Sequence, residues 1–195
     1  MKKEFAMAIL LLALGAGTLP AASAQANAPA AKMEQKPTLS GVMNRSLSGI
    51  EQEVVSAAEA MPEDKYNFAP TQGEFKGVRT FAQQVKHVAA ANYMFGSTIL
   101  GEKPPVDLGS ENGPANITSK ADTVKFLKDS FAYLHKALDS INEANVLGEV
   151  QSPFGKDKVT RLRLVLIAMA HPMDHYGQIV EYLRMNNIVP PASRS

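Results

Sequence analysis

Apolar residues recur every three or four positions along most of the chain, the period of helices lying on a shared core. From Thr38 to Met61 the stripe is Leu39, Val42, Leu47, Ile50, Val54 and Ala57, and Pro62 ends it. Pro70, Gly73 and Gly77 then mark a loop. A second stripe, Val78, Phe81, Val85, Val88, Phe95 and Ile99, predicts a helix from Val78 to Leu100, closed by Gly101, Pro104 and Pro105. The stretch from Gly101 to Thr118 is long for a bundle connection and holds Gly109, Gly113 and Pro114, so it reads as a lid or the edge of a site. Ser119 with Asp122 three residues on resembles a capping box and opens a third helix carrying Val124, Leu127, Phe131, Leu134, Leu138 and Ile141. After a turn at Ser152-Pro153-Phe154-Gly155, a fourth helix is predicted from Val159 to Asn186, with Pro190-Pro191 beyond it. No alternating strand pattern stands out. The expected architecture is an all-α four-helix bundle over residues 38–191, without the uniformly short loops of the simplest designs.

The N-terminus follows a different pattern. Lys2 and Lys3 precede an unbroken apolar run from Phe5 to Leu14, and Ala22-Ser23-Ala24 has the small-x-small form of a signal peptidase site. The run is too short to span a bilayer. Residues 1–24 are therefore expected to be a signal peptide, with a flexible leader over 25–37 rich in Ala, Gln, Lys and Pro, and the mature protein is expected in the periplasm or outside the cell. It would keep no membrane association once the signal is removed.

Composition narrows the chemistry. Of 195 residues, 45% are hydrophobic and 20% charged, enough for one domain with a sizeable core. Net charge is +1, and cleavage after Ala24 would leave equal numbers of basic and acidic residues. There is no basic excess to neutralise phosphates, so nucleic acid is not an expected partner. The absence of cysteine excludes disulfides, thiolate ligands and a lipid-modified cysteine.

The chemistry-bearing signal is histidine. His171 and His175 are spaced i, i+4, which stacks them on one helical face, and neutral imidazoles at that spacing can grip one metal ion. By helical geometry, at about 100° per residue, Leu164, Ile167, Ala168, Gln178 and Tyr182 share their direction, so both rings point inward. Buried imidazoles need partners: a metal is one solution, hydrogen bonds to tyrosine or carbonyl groups the other. Pro172 between them predicts a kink or bulge. A zinc-protease reading fails, because that motif needs Glu directly after the first His, and Asp174 projects about 80° away from the rings. For a third ligand the residues leave two candidates. His87 sits about 120° from its own stripe on a face with Thr80, Gln84, Ala91 and Met94, whereas His135 lies at the border of the third helix. Spacing does not choose between them.

The string His171-Pro-Met-Asp-His175-Tyr176-Gly177-Gln178, continuing through Tyr182-Leu183-Arg184 to Pro190-Pro191, resembles the last helix of the DinB-like superfamily. Asn67-Phe68-Ala69-Pro70 followed by Phe81 to Ala89 is similar to that family's first ligand segment. The resemblance covers about Thr38 to Pro191 and implies a four-helix bundle with a three-histidine site made by His87, His171 and His175, leaving His135 out. It also implies one divalent metal ion, zinc or nickel, in a metal-dependent enzyme. Known members include transferases and isomerases that use low-molecular-weight thiols. Those thiols are cytosolic, so an exported chain departs from that pattern, as does Pro172.

Two classes of function remain. Three histidines leave a coordination position for a small-molecule substrate, as expected of a metal-dependent hydrolase or transferase, with Gln178, Tyr66, Tyr93 and Tyr176 as groups that could orient the ligands. No catalytic residue beyond the metal ligands is identified. The alternative is a non-catalytic divalent-metal-binding or stress-related binding protein. A homodimer is compatible with either class.

Overall fold

The computed structural model describes residues 36–194 apart from 72, 74 and 75. The expected signal peptide and all but the end of the leader lie outside the described residues. Four helices are present: α1 (Leu39–Ala60), α2 (Phe81–Leu100), α3 (Lys120–Asp139) and α4 (Arg161–Met185). Among the described residues no helix is long and apolar enough to cross a membrane.

Local chemistry sets the boundaries. Thr38, Thr80, Ser119 and Thr160 are the four N-caps, each accepting a backbone N–H with its hydroxyl. At α2 the cap is reciprocal: Gln83 returns its side-chain oxygen to the Thr80 N–H, so the helix starts at Phe81 rather than Val78. Gly101 ends α2 in the left-handed conformation, at φ 73°. α4 begins two residues later than expected because Lys158–Thr160 forms strand β2, antiparallel to β1 (Glu149–Gln151), with Val150 opposite Val159. Three-residue strands are too short to display alternation, which is why the sequence pattern misses them. α4 is continuous through Pro172, whose ring is buried; the predicted bulge is absent.

α2 packs against α3 and α4, and α1 packs against the same two helices. Sequence neighbours α1 and α2 therefore lie on opposite diagonals, and the chain must cross the bundle end between them. Tyr66 secures that crossing: its hydroxyl donates to the Ala58 carbonyl at 2.6 Å and its ring meets Phe81 edge-on at 5.2 Å. The diagonal arrangement burdens the helices unequally. α1 buries only Leu47, Val54, Ala57 and Ala58, while α2 is buried around most of its circumference. Val42, placed in the α1 stripe by pattern, stays 56% exposed. Gly96 allows α3 to close on α2, since a Cβ there would lie 2.9 Å from the Tyr133 ring. His135 joins α3 to α1: Nδ1 meets Asn44 Oδ1, and Nε2 lies 3.1 Å from the Glu51 carboxylate.

Phe81, Phe95, Phe131, Leu134, Leu164, Ile179 and Leu183 form the fully buried centre. Leu134→Ala on α3 should therefore cost about 2–5 kcal/mol, the range for emptying a closed core site. Urea unfolding would show a lower midpoint with an unchanged slope, and a midpoint equal to the parent's would contradict this packing.

Candidate metal centre

α2 and α4 face each other along one seam, and three imidazoles meet there. His171 and His175 present consecutive turns of α4, and His87 reaches across from α2. Ring centroids are 5.0 Å apart for His87–His171, 4.6 Å for His87–His175 and 4.5 Å for His171–His175. One ligand nitrogen from each ring can be chosen so that all lie within 4.8 Å of one another. His135 is outside the group.

The hydrogen bonds behind the rings fix which nitrogen is free. His87 Nδ1 donates to the Glu111 carbonyl at 2.6 Å, leaving Nε2 as a bare lone pair. His175 Nδ1 lies 2.9 Å from Gln84 Oε1. Gln84 turns that oxygen toward the ring because its own amide N–H donates to Gln178 Oε1 at 2.7 Å. His175 therefore carries its proton on Nδ1 and also frees Nε2. Both rings have their outer N–H anchored and their lone pairs turned inward, the arrangement of histidines that hold metals.

His171 completes the fit. Its Nε2 is 3.2 Å from His87 Nε2, while its buried Nδ1 has no hydrogen-bond partner. Tetrahedral zinc at its usual bond length to nitrogen would separate two ligand nitrogens by about 3.3 Å, so the spacing suits a shared cation. Donor type agrees, since imidazole binds zinc, nickel, copper and iron alike. The residues present thus fit one divalent ion. Three neutral donors would leave that ion its whole charge.

The surroundings keep the imidazoles uncharged. Burial lowers the His171 pKa to about 3, helped by positive charge on His175 and His87. Burial likewise lowers His175 to about 4, and moves His87 down against the opposing pull of the Glu111 carbonyl.

The 101–118 connection closes one side. Lys86, buried on α2, donates its ammonium to the carbonyls of Pro114 (2.8 Å) and Ile117 (3.0 Å). Arg79 donates to the Glu111 carbonyl and to Asn112 Oδ1, and its own carbonyl accepts from the Tyr182 hydroxyl on α4. Gly113, at φ 74°, fits directly over Lys86, where a Cβ would come within 2.5 Å of the lysine Cβ. Between this loop and the α2 face of His87, Ala90, Ala91 and Met94 is a cavity of about 220 Å³.

The residues proposed from sequence as orienting groups separate here. Gln178 reaches the centre through Gln84. Tyr93 packs against Phe126 and Tyr133 on the α3 side of α2. Tyr176 is half-buried near Glu53 of α1, whose charge adds to burial in raising its pKa. Tyr66 serves the α1–α2 crossing, and Asp174 is exposed. Sequence reasoning did not find the roles of Gln84, Arg79 and Lys86. Gln84 and Lys86 gave one faint signal, polar residues beside the apolar stripe of α2; the Glu111 carbonyl gave none, because a backbone group has no residue identity.

The class so defined is a four-helix bundle with three convergent imidazoles on its α2–α4 seam. A family model of the DinB superfamily matches residues 47–179, and the chain belongs to that superfamily. Solved structures show the same fold at low identity. A DinB-like protein from Bacillus cereus has 14% identity and a TM-score of 0.61, over 79% of this chain and 96% of its own. YfiT from Bacillus subtilis, described as a probable metal-dependent hydrolase with an unusual four-helix bundle topology, has 16% identity and a TM-score of 0.56, over 76% and 88%. The colibactin self-resistance protein ClbS, solved with double-stranded DNA, has 15% identity and a TM-score of 0.51, over 77% and 98%. No curated protein is matched by sequence.

The lowered pKa values set a pH dependence for the metal-free protein. Unfolded histidines titrate near 6.5, so from there down to about 4 the unfolded chain binds more protons than the folded one. Stability should be insensitive to these groups above pH 6.5 and fall as pH drops below it, with a slope approaching roughly two protons. Urea midpoints of chelator-treated protein and of a His171→Ala, His175→Ala variant would isolate the effect. Parallel pH profiles for the two would contradict it.

Proposed function

We propose that this chain is an exported metal-dependent hydrolase or group transferase acting on a small molecule, with His87, His171 and His175 holding one divalent ion, zinc or nickel. The observation that carries the reading is the pair of anchored rings: His87 and His175 each have Nδ1 committed to an oxygen and Nε2 left free toward His171. A purely packed core histidine has no need of that convergence. A divalent ion so held supplies positive charge that polarises a substrate and makes water a better nucleophile.

The chain's own residues do the positioning. Gln178 fixes the Gln84 amide, Gln84 holds the proton at His175 Nδ1, and the Glu111 carbonyl holds the proton at His87 Nδ1. Phe95, 1% exposed, meets the His171 ring at 5.8 Å and keeps water from that side. The cavity beside His87 offers an approach from the 101–118 loop. The near-neutral charge balance speaks for a small molecule rather than nucleic acid, although ClbS was solved with DNA. Export is proposed on Lys2-Lys3, the Phe5–Leu14 run and Ala22-Ser23-Ala24, and N-terminal sequencing of cell-envelope protein should give a start at Gln25; a cytosolic product beginning at Met1 or Lys2 would refute it.

Metal analysis of the purified mature protein should give one divalent ion per chain, released only as pH falls well below the ordinary histidine range, because ligation requires neutral imidazole and burial lowers the pKa of these rings to about 3 for His171 and about 4 for His175. Full occupancy in a His87→Ala, His171→Ala variant would overturn the ligand assignment. Gln84→Leu removes the support behind His175 together with the bond to Gln178, leaves all three imidazoles in place, and should weaken metal affinity about 10- to 100-fold. A metal-bound structure in which a fourth protein side chain completes the shell would favour the alternative, a non-catalytic metal-binding protein.

A further inference from the structure

A second cavity, of about 510 Å³, opens between the β1–β2 hairpin and the first turns of α4. Its size falls within the usual range for small-molecule sites. Phe154 from the hairpin turn and Ile167 from α4 give it apolar surface. Phe154 is 64% exposed, an unusual position for a phenylalanine, with its edge against Phe95 at 5.9 Å. Phe95 in turn contacts His171, and Ile167 lies one helical turn from that histidine. One buried side chain, Phe95, therefore stands between Phe154 of the cavity and the three-imidazole centre.

Four charged side chains also line it: Glu149, Asp157, Lys158 and Arg163. Among the described residues none of them pairs with another or with any other side chain. Elsewhere charges do pair, as in Lys128–Glu59 at 2.6 Å and Lys136–Glu102 at 3.2 Å. Two cations and two anions lining one cavity beside Phe154 and Ile167 match a molecule that carries both signs and an apolar body. Arg163 offers the planar fork that suits a carboxylate. Glu149 and Asp157 offer oxygens to an ammonium.

We propose that this cavity binds a zwitterion of dipeptide size, its carboxylate at Arg163 and Lys158, its ammonium at Glu149 and Asp157, and its apolar side chain against Phe154 and Ile167. The site itself stands apart from the metal reading. That such a molecule is the substrate class of the adjacent centre rests on that reading.

The test is calorimetric titration of the mature protein, after chelator treatment, with L-alanyl-L-phenylalanine. Its N-acetyl and C-terminal amide forms are the controls, and amide NMR shifts locate the contact. The free dipeptide should bind and shift residues 149–167. Each blocked form should bind at least tenfold more weakly, as should the free dipeptide to Arg163→Met and to Asp157→Asn. Arg163 is exposed and without a side-chain partner, so its variant should keep the parent's thermal unfolding. The blocked forms test the same point with no substitution at all. Absence of binding, equal binding of blocked and free forms, or shifts confined to other helices would overturn the proposal. Because zinc uptake is measured separately, a protein that binds zinc but no dipeptide refutes only this site. One that binds the dipeptide but no metal keeps the site and loses the substrate assignment.

Discussion

A helix buried on nearly every side cannot leave its polar groups to water, and α2 is such a helix. Three of its interior polar residues are answered by three different neighbours. Gln84 is bonded to Gln178 and His175 on α4, Asn92 donates to Ser130 on α3 at 3.2 Å, and Lys86 holds the 101–118 loop. Apolar packing alone would tolerate sliding between helices, whereas these bonds are satisfied in one register only. The same requirement brings His87 under cover. Its face lies away from the α2 stripe and would be surface in a simpler bundle, but Arg79 and Lys86 fasten a loop across it.

How much of this is legible in the sequence follows from how local each cause is. The four helices come directly from 3.6-residue periodicity, and one N-cap, Ser119, from the hydroxyl at its boundary. The i, i+4 pair His171 and His175 is equally local, and its inward direction is set by Leu164 and Ala168 on the same face. His87 is not legible in that way. Whether its face is covered depends on a connection downstream that reaches it at Glu111, and only the family resemblance, carried by the His171–Gln178 string and the Phe81–Ala89 segment, singled it out over His135. The hairpin escaped because a three-residue strand has no periodicity to detect. Pro172 predicts a kink or a bulge from its local effect, and α4 runs through it without a bulge.

Relatives that share the fold at 14–16% identity show how little of the sequence the bundle needs. Shared architecture leaves chemistry open, since function resides in sites placed on a fold. In this chain the parts that set the chemistry lie in the α2–α4 seam and in the two insertions beside it, the 101–118 loop and the hairpin. Each borders a cavity, and the one at the 101–118 loop is lined by His87.

His87 and His171 stand 84 residues apart in sequence yet 3.2 Å apart in space. A cation shared between them would tie the chain into a closed loop of that length. Unlike a disulfide, such a link is lost when the chain unfolds, so it stabilises the folded state by mass action, by about 2.7 kcal/mol at a free-ion concentration one hundred times the dissociation constant. A chain with no cysteine would then possess one cross-link, formed only after α4 has docked and broken by any chelator. Its resistance to heat and proteolysis would depend on the metal content of its surroundings rather than on their redox state.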